Sequence, residues 1–142
     1  MKRIYLLLFV LIGTFNLSAC DCVDLSMEED YANHTNVFKG KIISVDLADD
    51  SSYGSIVTIQ VITNFKGKTA ETVSIRTGLG GPDCGFRFEE GREYVIFASL
   101  GTMYSSGYDD KLLEVTYCSN TGLFADKASE MRALNGLFWD ER

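Results

Sequence analysis

Two thiols separated by one residue, Cys20-Asp21-Cys22, stand directly behind a hydrophobic leader, and two more, Cys84 and Cys118, lie far down the chain. Four cysteines can do three kinds of chemistry here: pair as disulfides, hold a structural zinc, or, at Cys20, carry a lipid. Outside the cytosol two disulfides are the simplest outcome, with three possible connectivities. A Cys-x-Cys ring is strained, and residues i and i+2 of an extended strand face the same way, so Cys20 and Cys22 should each bond to a distant cysteine. Two connectivities then remain open. Each closes a long loop, and chain entropy puts the first bridge at about 4 kcal/mol as an upper estimate. Structural zinc usually draws closely spaced ligand pairs from each half of its site. Cys84 and Cys118 stand singly with no histidine near, so no metal is expected.

The fate of Cys20 depends on what precedes it. Met1-Lys2-Arg3 is a short basic segment and Ile4 to Ile12 is an uninterrupted apolar run. Nine residues at about 1.5 Å each fall well short of a bilayer core of about 30 Å, so residues 1–19 read as an export signal and not a membrane span. Ala19 suits cleavage by ordinary signal peptidase, but Leu17 is bulky for the position three before the cut. Leu17-Ser18-Ala19-Cys20 also has the form of a bacterial lipobox, in which the Cys20 sulfur takes a diacylglyceryl group. Both readings place the protein outside the cytosol: secreted, periplasmic, or lipid-anchored at the cell envelope. They exclude one another at one atom, because a lipidated Cys20 has no sulfur left for a disulfide.

Cleavage before Cys20 leaves residues 20–142, 123 residues in all, enough for one domain with its own core. Lys2 and Arg3 leave with the leader, so 11 basic residues face 20 acidic ones and the formal net charge becomes −9. Such a domain is a poor binder of polyanions, since each phosphate contact needs a cation, and nucleic acid is not an expected partner.

The elements that position the cysteines can be read in order. Ser26-Met27-Glu28-Glu29 has the capping-box form, and Met27 and Tyr31 share a face, predicting a short helix from Ser26 to about Asn33. Val37 to Val45 reads as a strand. Val57, Ile59 and Val61 alternate with Thr58 and Gln60 in a second strand running on to Phe65, and Thr72 to Thr77 alternates as a third. Leu79 to Gly85 is a loop holding the only proline, Pro82, beside Cys84. Tyr94 to Ala98 is a continuous apolar run, a strand buried on both faces, and Leu112 to Cys118 is a predicted fifth strand. Phe124, Ala128, Met131, Leu134 and Phe138 recur at helical spacing, with Asp126, Glu130 and Arg132 off that face. The pattern predicts a mainly β domain: a five-stranded, partly open barrel of the OB type, with a short N-terminal helix and a C-terminal helix.

Other candidate chemistry is thin. His34 is the only histidine, sits at the end of a short helix, and is expected to be a solvated surface residue, so no enzyme is expected. Asp49-Asp50 and Asp109-Asp110 lack the regular ligand spacing of a calcium loop. Asn33-His34-Thr35 fits a glycosylation sequon, which matters only in a eukaryotic secretory route.

Taken together, these features resemble the tissue inhibitors of metalloproteinases and, more broadly, the netrin-like domains that share their barrel, in a bacterial member. The resemblance rests on the Cys20-Asp21-Cys22 start, Val37-Phe38-Lys39-Gly40-Lys41, Phe65-Lys66-Gly67, Asp83-Cys84-Gly85 followed by Arg92 to Ile96, and Thr116-Tyr117-Cys118 before a last helix. It spans the mature domain in order. It implies a Greek-key OB barrel with disulfides Cys20–Cys84 and Cys22–Cys118. It also implies a secreted, cofactor-free inhibitor of a zinc metalloprotease, whose catalytic zinc is chelated by the Cys20 α-amine and carbonyl. Asp21 would then enter the primary specificity pocket, with Cys22 and Val23 following, and Leu79, Gly80, Gly81, Pro82 and Asp83 would form a flanking ridge. The animal inhibitors carry a third disulfide, a cysteine-rich second domain, and a small hydroxyl residue where Asp21 stands. Netrin-like barrels also serve as plain binding modules, so a lipid-anchored, non-inhibitory module is the alternative expectation. In either case a monomer is expected.

Overall fold

The computed structural model describes residues 20–49, 53–101, 103–104 and 112–139, without the side chains at 135 and 137–139. The leader (1–19), Asp50, Asp109-Asp110 and the Phe138 side chain lie outside the described residues. In chain order the elements are α1 (Met27–Asn33), β1 (Asn36–Leu47), β2 (Ser55–Lys66), β3 (Thr72–Thr77), β4 (Glu93–Leu100), β5 (Leu113–Glu114), β6 (Gly122–Leu123) and α2 (Phe124–Trp139).

Strand order β1-β2-β3-β5-β4, with β4 pairing back onto β1, closes a five-stranded barrel; β6 pairs with Tyr94 and Val95 of β4 on the edge opposite β1. Every pairing is antiparallel except β3 with β5. The fold is the mainly β, OB-type barrel with two flanking helices, and it is closed where a partly open one was expected. Closure follows from β1, whose first half is paired on both sides. Gly40 lies opposite Val61 on β2 and Tyr94 on β4, beside a shift in register. A Cβ at Gly40 would stand 2.3 Å from Ile59 Cγ2, so only glycine allows this approach.

Two apolar layers sit either side of the barrel wall. Phe38, Ile42, Val57, Ile59, Ile75, Tyr94, Ile96 and Val115 fill the interior. Val37, Val95 and Phe97 point outward from the same strands and are covered by Met27 and Tyr31 of α1 and Met131 and Leu134 of α2. The Tyr94–Ala98 run is therefore apolar throughout because alternate residues serve alternate layers. Helix α1 starts at Ser26, whose hydroxyl accepts the Glu29 N–H (3.2 Å) while the Glu29 carboxylate accepts the Ser26 N–H (2.9 Å).

The fifth strand is much shorter than the expected Leu112 to Cys118. After Glu114 the chain changes partners: Val115 N–H still donates to Arg76 O (2.9 Å), Thr116 bridges to Gly85, and residues 117–118 form a turn. That turn takes Cys118 out of the barrel wall, and strand-like composition alone does not reveal it.

Candidate functional site

The receiving cysteines lie on neighbouring segments. Gly85 pairs with Thr116, and Tyr117 N–H donates to Cys84 O (2.8 Å), so the chain at 84–85 runs alongside 116–117. The Cys20-Asp21-Cys22 tripeptide is fastened across this junction by two disulfides, Cys20–Cys84 (Cα–Cα 5.6 Å) and Cys22–Cys118 (Cα–Cα 5.2 Å). These are the pairings that the resemblance implies, and they leave no free cysteine among the described residues. Both are at home in an oxidising, extracytoplasmic setting. Among the described residues no helix is long and apolar enough to cross a membrane, and no cluster of three or more His, Cys, Asp or Glu is placed to hold a metal.

Asp21, Val23 and Asp24 are exposed, and Val23 at 75% is among the most exposed apolar side chains. Cys20 Sγ lies 3.6 Å from the carbonyl oxygens of both Gly81 and Pro82, placing the expected ridge directly beside Cys20. Leu79, Gly81 and Pro82 present an exposed flank, while Gly80 is half-buried and its carbonyl accepts from Arg87 Nη2 (2.9 Å). On the other side a cleft of about 190 Å³ runs along Cys22–Leu25 and Tyr117–Asn120. Tyr117, exposed at 58%, stands at its edge.

Asp83, on the same loop, is half-buried. Its carboxylate turns inward, accepting the Leu79 N–H, the Gly85 N–H (3.1 Å) and the Tyr53 hydroxyl (3.1 Å). Burial works against its charge, but these donors outweigh that effect and hold the carboxyl below its ordinary range. The same carboxylate, through its hydrogen bond to the hydroxyl, raises the pKa of Tyr53. Tyr104 adds a second tie by donating to Asp83 O (2.9 Å), and burial first, then the nearby Asp83 charge, pushes that phenol up to about 12. Beneath the ridge, Gly78 and Gly85 cross so closely that a Cβ on Gly85 would stand 2.3 Å from the Gly78 carbonyl carbon. Cys84, between Asp83 and Gly85, has a left-handed backbone (φ 59°).

The far side of the junction is held by Asp30. This carboxylate, 1% exposed, accepts the Asn120 N–H and lies 3.1 Å from His34 Nδ1. Asn120 Nδ2 in turn donates to Leu25 O (3.3 Å). His34 is thus a half-buried residue packed edge-on against Phe97 (5.8 Å between centroids), not the solvated one expected. Sequence reading missed Asp30, Tyr53, Tyr104 and Asn120 altogether, and noted Tyr117 only as part of the resemblance. Only Asp83 carried a usable sign: an Asp two residues before a Gly is the pattern of an Asx turn.

No protein-family model and no curated protein matches the chain.

Proposed function

We propose that the mature protein, beginning at Cys20, is an extracytoplasmic inhibitor of zinc metalloproteases built like the netrin-like tissue inhibitors. The Cys20 α-amine and carbonyl are its donors to the target's catalytic zinc. The observation that carries this reading is the Cys20–Cys84 disulfide. It occupies the one sulfur that could take a lipid, and it holds the first residue against the exposed Leu79–Pro82 flank. An α-amine with a pKa near 8 gives up its proton to a metal at modest cost, and a catalytic zinc keeps one position open for such a ligand. Two bridges around a single residue pre-organise the wedge and lower the entropy lost on binding.

The test compares mature protein with a free Cys20 amine against the same protein N-acetylated, in inhibition assays on a panel of zinc endopeptidases. The reading requires that acetylation abolish inhibition; equal potency of the two forms would overturn it. The lipobox-like Leu17-Ser18-Ala19-Cys20 favours a second reading, a lipid-anchored binding module without inhibitory activity. Absence of inhibition by the free-amine form would support that one.

A further inference from the structure

Cys84, which receives Cys20, is the one residue other than glycine with a left-handed backbone (φ 59°) among the described residues. That region is disfavoured for any side chain with a Cβ, and it persists only where the surroundings fix the peptides on either side. Both are fixed here. Rotation about φ of Cys84 turns the Asp83–Cys84 peptide, whose N–H donates to Gly81 O (3.2 Å) and whose carbonyl oxygen accepts the Tyr104 hydroxyl (2.9 Å). The Cys84–Gly85 peptide is held at its carbonyl by the Tyr117 N–H (2.8 Å) and at its N–H by Asp83 Oδ1 (3.1 Å). Relaxing Cys84 to a right-handed or extended backbone would redirect its Cβ, and with it the Cys20 joined through the disulfide.

Among these ties the Tyr104 hydroxyl is the side-chain group that comes from outside the loop. Tyr104 is itself 3% exposed and braced by buried side chains of the barrel wall. Its N–H donates to Glu114 Oε1 of β5 (3.1 Å), and its carbonyl accepts from Arg76 Nη1 of β3 (3.4 Å). The side chain therefore runs as a strut from the barrel to the peptide that sets the backbone of Cys84. Resting on the chelating reading above, we propose that Tyr104 is a positioning residue of the inhibitory wedge. Its hydroxyl holds Cys84 left-handed and so keeps the Cys20 amine and carbonyl in the orientation that meets a zinc. Because Tyr104 is buried, it makes no contact with a protease. Losing the hydroxyl lowers the fraction of molecules that are ready to bind, and that cost falls on association, not on the contacts of the finished complex.

The experiment measures association and dissociation rates of the mature protein and of Tyr104→Phe with a zinc endopeptidase from the panel that the mature protein inhibits. The temperature is one at which circular dichroism shows both proteins folded. Removing the hydroxyl should slow association about fivefold and leave dissociation unchanged. A variant that is merely less stable keeps the wild-type association rate, and a lost contact speeds dissociation instead; either result would overturn the assignment while chelation stands. Amide exchange reads the clamp without a protease. The Cys84, Gly85 and Tyr117 amides should be protected in the wild type and quicken in Tyr104→Phe, while those of Tyr94–Ala98 do not change. Fast exchange of the first group in the wild type would overturn the clamp whatever the variant does. Inhibition that persists on N-acetylation of Cys20, or no inhibition across the panel, would overturn the chelating reading and this assignment with it.

Discussion

The Asp83 carboxylate accepts the Leu79 N–H, so one side chain at the foot of Cys84 closes the loop that flanks Cys20. Three donors converge on this group, and its charge holds the loop's shape.

A pH dependence follows. The Asp83 carboxyl is held below its ordinary value, so its contribution to stability is complete above the unfolded value of about 3.9 and is lost as pH falls through the lower folded value. Asp83→Asn can accept only one of the two backbone N–H groups well and should cost about 1 kcal/mol at neutral pH. Urea denaturation at pH 7 and pH 3 is expected to show a smaller acid loss in Asp83→Asn than in the wild type; an unchanged difference would count against the assignment.

Asp30 makes a stronger case because it is fully buried. Asp30→Ala would strand the Asn120 N–H and take the carboxylate away from His34 Nδ1, which keeps only the Asp30 backbone carbonyl at 2.9 Å, at a cost of about 2–3 kcal/mol. Chemical denaturation measures this directly, and a change under about 0.5 kcal/mol would mean that the latch contributes little.

Gly85 has no room for a side chain. Gly85→Ala forces its Cβ onto the Gly78 backbone, which cannot yield as a flexible side chain would, and should cost at least about 2 kcal/mol. Gly91→Ala is a useful comparison, since a Cβ there meets nothing within 4 Å and the penalty comes only from its positive φ of 78°. The thermal midpoint of Gly85→Ala is expected to be the lower of the two.

Helix α1 begins with a reciprocal cap, and Ser26→Ala removes one half of it. About 1 kcal/mol of stability should be lost. Amide exchange should quicken first in Met27–Asp30, whereas uniform quickening would show that the helix does not open separately from the barrel.

Much of the barrel was legible because packing and local pattern agree. Val57 and Ile59 alternate with polar residues because one face of β2 looks into the core, and Tyr94–Ala98 is continuous because β4 is covered twice. Ser26 and Glu29 announce their helix by type and spacing alone. The lost features depend on tertiary partners. Nothing local distinguishes buried Arg76 and Glu114 from exposed strand charges; Glu114 is satisfied by the N–H groups of Met103 and Tyr104 from a distant turn. The two-residue strands β5 and β6 are too short for periodicity to register. At the site, the Cys20-Asp21-Cys22 spacing showed that both thiols needed distant partners, but the inward turn of Asp83 depends on Tyr53 and Leu79 meeting it in three dimensions.

The state of Cys20 in the native protein bears most directly on the central claim. Intact-mass analysis with non-reducing peptide mapping, on protein isolated from its natural source, reads it in one experiment. The account predicts a chain starting at Cys20 with an unmodified α-amine, its sulfur linked to Cys84 and Cys22 linked to Cys118. A diacylglyceryl thioether on Cys20, or an acylated amine, would contradict it.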